Sequence, residues 1–122
     1  MSNEKNEFIE GLKKRTKAYT IQVILFCRTI KNNLETVVIK KQIIRSVSSV
    51  GANYRASCIA RSKNEFFHKI SIVNEEIDET IFWLELLEEL NHCNVEINKL
   101  IKEGSELRRI FAKARSSTGG RR

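Results

Sequence analysis

Apolar residues recur along this chain at three- and four-residue intervals, in four stretches separated by short polar breaks. That period is the mark of amphipathic helices. The first stretch, about residues 7–31, puts Phe8, Leu12, Tyr19, Val23, Phe26 and Ile30 on one face. Ile21, Ile24 and Leu25 widen the face, which predicts contact with more than one neighbour. Lys31, Asn32 and Asn33 then make a basic last turn and a polar break.

The second stretch, about residues 35–60, aligns Ile39, Ile43, Val47, Val50 and Tyr54. Beside them runs a stripe of small or polar residues: Ser46, Ser49, Asn53, Ser57 and Ala60, with Ala56 nearby. Serine and glycine are mediocre helix formers, and Gly51 costs about 1 kcal/mol relative to alanine. Close approach of another helix would offset that cost, by analogy with small-xxx-small packing in membranes. The alternative is a loop at Ser48–Asn53 that splits the helix.

Ser62-Lys63-Asn64-Glu65 has the form of a capping box, with the Ser62 hydroxyl accepting from the Glu65 N–H and the Glu65 carboxylate returning to the Ser62 N–H. It starts a third helix, about residues 63–92, with Ile70, Val73, Ile77, Ile81, Leu84 and Leu87 as its core stripe. Phe66, Trp83, Leu86 and Leu90 predict a second covered face, while Asp78, Glu85 and Glu89 mark the solvated side. After a polar turn, a fourth helix over about 95–114 uses Ile97, Leu100, Ile101, Leu107, Ile110 and Phe111, and Gly104 weakens its middle. Residues 116–122, SSTGGRR, read as a flexible basic tail. Four helices with short turns predict an all-α, antiparallel up-down-up-down bundle, one domain over 1–115.

Composition sharpens this picture. The 122 residues contain no proline, so nothing interrupts long helices. Cys27, Cys58 and Cys93 are an odd number with no CxxC spacing, as expected of reduced thiols. No apolar run approaches the ~20 residues of a membrane span, and MSNEKNEF lacks the apolar segment of a signal peptide. The sequence predicts a soluble, cytoplasmic protein.

Charge is unevenly placed. Residues 1–65 hold 13 Lys/Arg against 5 Glu, whereas residues 66–122 hold 9 Lys/Arg against 10 Asp/Glu. The basic surplus belongs to the first two helices and the turn after them. Lys13, Lys14, Arg15 and Lys17 cluster on the first, Lys40, Lys41 and Arg45 on the second, and Arg55, Arg61 and Lys63 lie at or near the turn. These ten are the candidate contacts to a polyanion. With no aromatic residues interleaved on the basic faces, the expected binding is backbone-directed and salt-sensitive.

Reaction chemistry finds little support. Two Glu-x-x-His pairs, Glu65–His68 and Glu89–His92, have the spacing of di-metal bundle sites. Both fall on the third helix, about 36 Å apart at ~1.5 Å per residue, too far to share a metal. Glu75 and Glu79, one turn apart, call for compensation by Arg45 or Arg55 as a structural ion pair. Cys58 lies near Arg55 and Arg61, yet no histidine is placed to activate it. The chain has no Walker loop, dinucleotide fingerprint or nucleophile elbow. No catalytic residue, cofactor or metal is assigned.

The stretch Gln42 to Leu87 carries a resemblance. Gln42, Arg45-Ser46, Ser49-Val50-Gly51-Ala52-Asn53-Tyr54-Arg55-Ala56, Arg61-Ser62, Glu65-Phe66, Lys69-Ile70, Glu76, Asp78-Glu79-Thr80 and Trp83-Leu84-Glu85-Leu86-Leu87 resemble the bacterial four-helix-bundle family of 23S ribosomal RNA intervening-sequence proteins. Many members have a glutamate a few residues after the Ala-Asn pair, where Tyr54-Arg55-Ala56 stand here. The resemblance implies a homopentamer around a central pore. It also implies kinship with the accessory variability determinant of diversity-generating retroelements, a basic pentameric bundle that works with nucleic acid and a reverse transcriptase. Five subunits would carry a net charge of about +35, from +7 each.

The resulting expectation is a non-enzymatic, ring-forming helical scaffold that binds RNA or DNA, structured RNA foremost. Ser46, Ser49, Asn53, Ala56, Ser57 and Ala60 would line its subunit interface. The alternative is a protein-interaction scaffold with incidental positive charge.

Overall fold

A computed structural model describes residues 3–90 and 94–118. It contains four helices and, among the described residues, no strand: α1 Asn3–Arg28, α2 Leu34–Ser57, α3 Lys63–Glu89 and α4 Val95–Thr118. Each helix packs on its neighbours in chain order, and α1 closes the square on α4. The α2–α3 seam is the most extensive and the α1–α4 seam the thinnest. Paired contacts run in opposite senses, as in Asp78–Arg108 against Ser71–Arg115 on α3 and α4, so neighbouring helices are antiparallel.

The apolar stripes meet on the bundle axis. Val23, Ile43, Val47, Val50, Ile70, Val73, Ile77, Leu84, Leu87, Ile97, Leu107 and Phe111 are wholly buried there. The Tyr54 ring packs on Phe111 with centroids 5.3 Å apart, joining α2 to α4 across the core. Phe8 departs from the expected core face and is 61% exposed. It lies one turn before Leu12 on α1, at the level where antiparallel α2 has already ended.

The helix ends differ in detail from the sequence reading. α2 stops at Ser57, where Cys58 caps it, and Ile59 and Ala60 follow in a turn. Its start is a reciprocal box that the sequence reading passed over as a polar break. Asn33 Oδ1 accepts from the Thr36 N–H at 2.9 Å, and Thr36 Oγ1 accepts from the Asn33 N–H at 2.8 Å. At α3, Ser62 Oγ accepts from the Glu65 N–H at 3.0 Å as expected. The Glu65 carboxylate, however, accepts from the Arg61 N–H at 3.3 Å rather than from Ser62. Ser116, Ser117 and Thr118 continue α4, their hydroxyls donating to carbonyls one turn back, and residues 119–122 lie outside the described residues.

No loop splits α2 at Ser48–Asn53. Gly51 faces α1 closely: a Cβ there would stand 2.9 Å from Thr20 Oγ1. That hydroxyl also donates to the Val47 carbonyl at 3.3 Å. The missing side chain thus admits a polar contact between α1 and α2, which offsets the weak helix propensity of glycine.

Candidate nucleic-acid interface

The ten candidate cations separate into engaged and available groups. Arg15 reaches across the thin seam to α4, where it binds Glu103 through two parallel bonds of 2.6 and 2.8 Å and Glu106 through a third of 2.7 Å. Those bonds hold the Arg15 guanidinium well above its already high ordinary value and pull the Glu106 carboxyl below its own. Arg45 turns to α3, bonding Glu76 at 3.2 Å and also Glu79. The Glu79 carboxyl is held below the ordinary range first by the Trp83 indole N–H, which donates to it at 3.0 Å, and then by Arg45.

Arg45 is therefore the partner expected for Glu79, while Arg55 faces α1 and Glu75 stays exposed. Lys40 donates to the Ile30 carbonyl at 2.6 Å and to Asn32, finishing the turn after α1. Arg61 is loosely paired with Glu65 at 3.8 Å, and Lys63 and Lys41 are exposed.

The remaining four converge. Lys13, Lys14 and Lys17 on α1 and Arg55 on α2 line one groove of about 590 Å³ between the two helices. Its floor is made by Thr20, Ser48, Gly51 and Ala52, whose short side chains keep it open. Among the described residues Lys14, Lys17 and Arg55 have no ion-pair partner, and Lys13 pairs with Glu10 at 3.1 Å. Glu10 is the one acid lining the groove. Three or four cations around an open channel, with one carboxylate among them, favour an anionic occupant.

Further along the same α1–α2 seam, Arg28, Lys40 and Lys41 surround a second, more apolar depression floored by Ile24, Val37 and Ile44. Positive charge thus flanks both ends of the seam.

The small-residue stripe is divided by the fold. Ser46 is fully buried and its hydroxyl meets Thr80 Oγ1 at 2.8 Å, so it packs α2 on α3 within the subunit. Ser57 is also buried, donating to the Tyr54 carbonyl at 2.6 Å. Neither side chain reaches the surface to line a subunit interface. Ser49, Asn53, Ala56 and Ala60 are half-buried, with Asn53 Nδ2 bonded to the Ser49 carbonyl and hydroxyl at 3.0 Å each.

Among the described residues no group of three His, Cys, Asp or Glu could hold a metal. Glu65 is taken by the helix start, and the Glu89–His92 pair extends outside the described residues. Burial pushes the Cys27 thiol up to about 11, away from nucleophilic duty. No described helix is long and apolar enough to cross a membrane.

Sequence reasoning missed Glu10, Ser48 and Ala52 as part of the basic site. The available signal was that Ser48, Ala52 and Arg55 share one face of α2 at helical spacing, yet nothing in the sequence says that α1 stands opposite that face.

Known proteins share this architecture. A crystal structure of a protein of unknown function from the S23 ribosomal protein family of Bacteroides thetaiotaomicron superimposes with a TM-score of 0.78 at 26% identity, covering 85% of this chain and 97% of that one. Comparison with curated proteins finds no match. The sequence matches the family described as 23S rRNA-intervening sequence protein over residues 11–113, nearly all of the bundle. This chain belongs to the 23S rRNA-intervening sequence protein family.

Proposed function

We propose that the protein is a non-enzymatic scaffold that assembles with copies of itself, five by family resemblance, and binds structured RNA through phosphate contacts. The observation that carries the reading is the division among its cations. Arg15 and Arg45 are bound to carboxylates of the same subunit, while Lys13, Lys14, Lys17 and Arg55 gather in one groove. Three of these four, Lys14, Lys17 and Arg55, have no ion-pair partner among the described residues, and solvation alone gives no reason for them to gather around one groove.

Reversing all four to glutamate tests the reading. RNA affinity measured by anisotropy should fall at least a hundredfold, and the salt dependence should flatten. An unchanged affinity would remove the groove, and with it the reading. Assembly is tested separately by light scattering of Ser49→Leu and Ala56→Leu, which should lose the wild-type native mass.

A second reading is favoured by one feature. Phe82 is 53% exposed and meets the half-buried Trp83 ring edge-on at 5.0 Å, near the partly exposed Leu86 and Leu90. A polypeptide partner would cover such a patch. A pull-down that survives nuclease treatment would support it.

A further inference from the structure

We propose that the α1–α2 groove takes a single, unpaired strand of nucleic acid, read by its phosphodiester backbone alone and held in competition with the protein's own Glu10. This rests on the nucleic-acid reading above and names the part of a folded RNA that enters the groove, an unpaired segment rather than a stem.

The first argument is shape. Neighbouring helix axes in a bundle lie about 8–10 Å apart. A channel between them admits one backbone strand, whereas a duplex carries two backbones on a wider, stiffer body and rests on the rims. The cations stand on both walls, lysines on α1 and Arg55 on α2, so a strand lying between them is neutralised from two sides. Lys13 and Lys17 are one turn apart, about 6 Å along the channel, which lets them engage different phosphates.

The second argument is the floor. Ser48 is exposed, and no partner for its hydroxyl is found among the described residues, leaving a free donor in the channel lining. Gly51 and Ala52 add no bulk. The aromatic residue in the lining, Tyr54, is only 5% exposed, so no ring face is offered for a base to stack on. Sequence-tolerant binding by stacking needs such a platform; without it the contacts are electrostatic and indifferent to base identity.

The third argument is Glu10. Its carboxylate pairs with Lys13 at 3.1 Å. An arriving phosphate must displace it, so the carboxylate lowers affinity and weakens chance binding of small anions.

The test uses fluorescein-labelled U12, dT12 and a 12-base-pair RNA duplex with three proteins: wild type, Ala52→Leu and Glu10→Gln. Leucine at the exposed position 52 fills the channel without changing charge and favours helix; circular dichroism and native mass confirm the fold and assembly. The wild type should bind U12 and dT12 alike and more tightly than the duplex. Its log–log salt slope should be near −3, about 0.7 per cation for four cations. Ala52→Leu should lose at least tenfold for U12 with little change for the duplex, and Glu10→Gln should gain severalfold.

If wild type binds but Ala52→Leu binds U12 equally well, the groove assignment falls while nucleic-acid binding stands. Preference for the duplex overturns the single-strand assignment, and a tenfold difference between U12 and dT12 overturns backbone-only reading. No binding of any of the three probes overturns the proposal together with the reading beneath it.

Discussion

Tyr19 lays its phenol against Gly104, and only a glycine leaves room for it there. The hydroxyl donates to the Leu100 carbonyl at 2.9 Å, one turn before the glycine on α4. A Cβ at position 104 would press on that hydroxyl and stand 3.2 Å from both the ring carbon bearing it and Ile81 Cγ1. Desolvation in this pocket pushes the Tyr19 hydroxyl well above the ordinary tyrosine range, so it stays a donor. Gly104→Ala should therefore destabilise by about 1–3 kcal/mol despite its better helix propensity. Tyr19→Phe should cost about 1 kcal/mol. Thermal unfolding of the double variant should show less than the sum, because the phenol oxygen is the nearest obstacle to the added methyl.

The buried hydroxyl pair Ser46–Thr80 is a second coupled site. One hydroxyl donates to the other, and the one that accepts is free to donate within its own helix: Ser46 Oγ lies 3.2 Å from the Ile43 carbonyl and Thr80 Oγ1 2.8 Å from the Glu76 carbonyl. Ser46→Ala or Thr80→Val should cost about 1 kcal/mol alone, and the pair of changes less than twice that. Native mass should not move with Ser46→Ala, since the side chain lies within the subunit.

Acid should loosen the α2–α3 seam in a defined window. The Glu79 carboxyl is held below its ordinary value of 4.5 in the folded protein, through Trp83 first and Arg45 second. A depressed carboxyl contributes stability above its unfolded value, and that contribution disappears as pH falls from about 4.5 through the folded value. Glu79→Gln should flatten this part of the stability–pH profile while lowering stability at pH 7 by no more than about 1 kcal/mol, since the pair is partly exposed. Trp83 emission should report the same transition and lose it in the variant.

The thiols should differ in reactivity. In a Cys93→Ser background, half-buried Cys58 should react with a disulfide reagent at pH 8 while Cys27 waits for unfolding. Equal rates for the two would contradict the burial that raises the Cys27 thiol.

How far the sequence could be read follows from what each signal encodes. The core stripes of α2 and α3 were legible residue by residue, because burial repeats with the helical period and Ile43, Val47, Ile77 and Leu84 obey it strictly. Periodicity names a face but not the neighbour opposite. Hence Arg15 looked like one more basic residue, although its partner Glu103 lies 88 positions away. Gly104 looked like a weakness because the phenol that requires it comes from another helix. The Asn33–Thr36 box escaped notice because its second member is a threonine, outside the usual Ser/Thr-x-x-Glu/Gln form. Ser46 and Ser57 were grouped with the surface stripe by size, and it is their position toward α3 and the core that takes them inside.

The uneven seams have a consequence for motion. With its sparsest packing against α4 and a polar clasp at Arg15, α1 is the helix whose amides should exchange with solvent soonest after the chain ends. That helix also carries three of the four cations of the channel. A strand lying between Lys17 and Arg55 would fasten the most detachable helix to the best-anchored pair, so occupancy would slow deuterium uptake along α1 and raise the melting temperature with it.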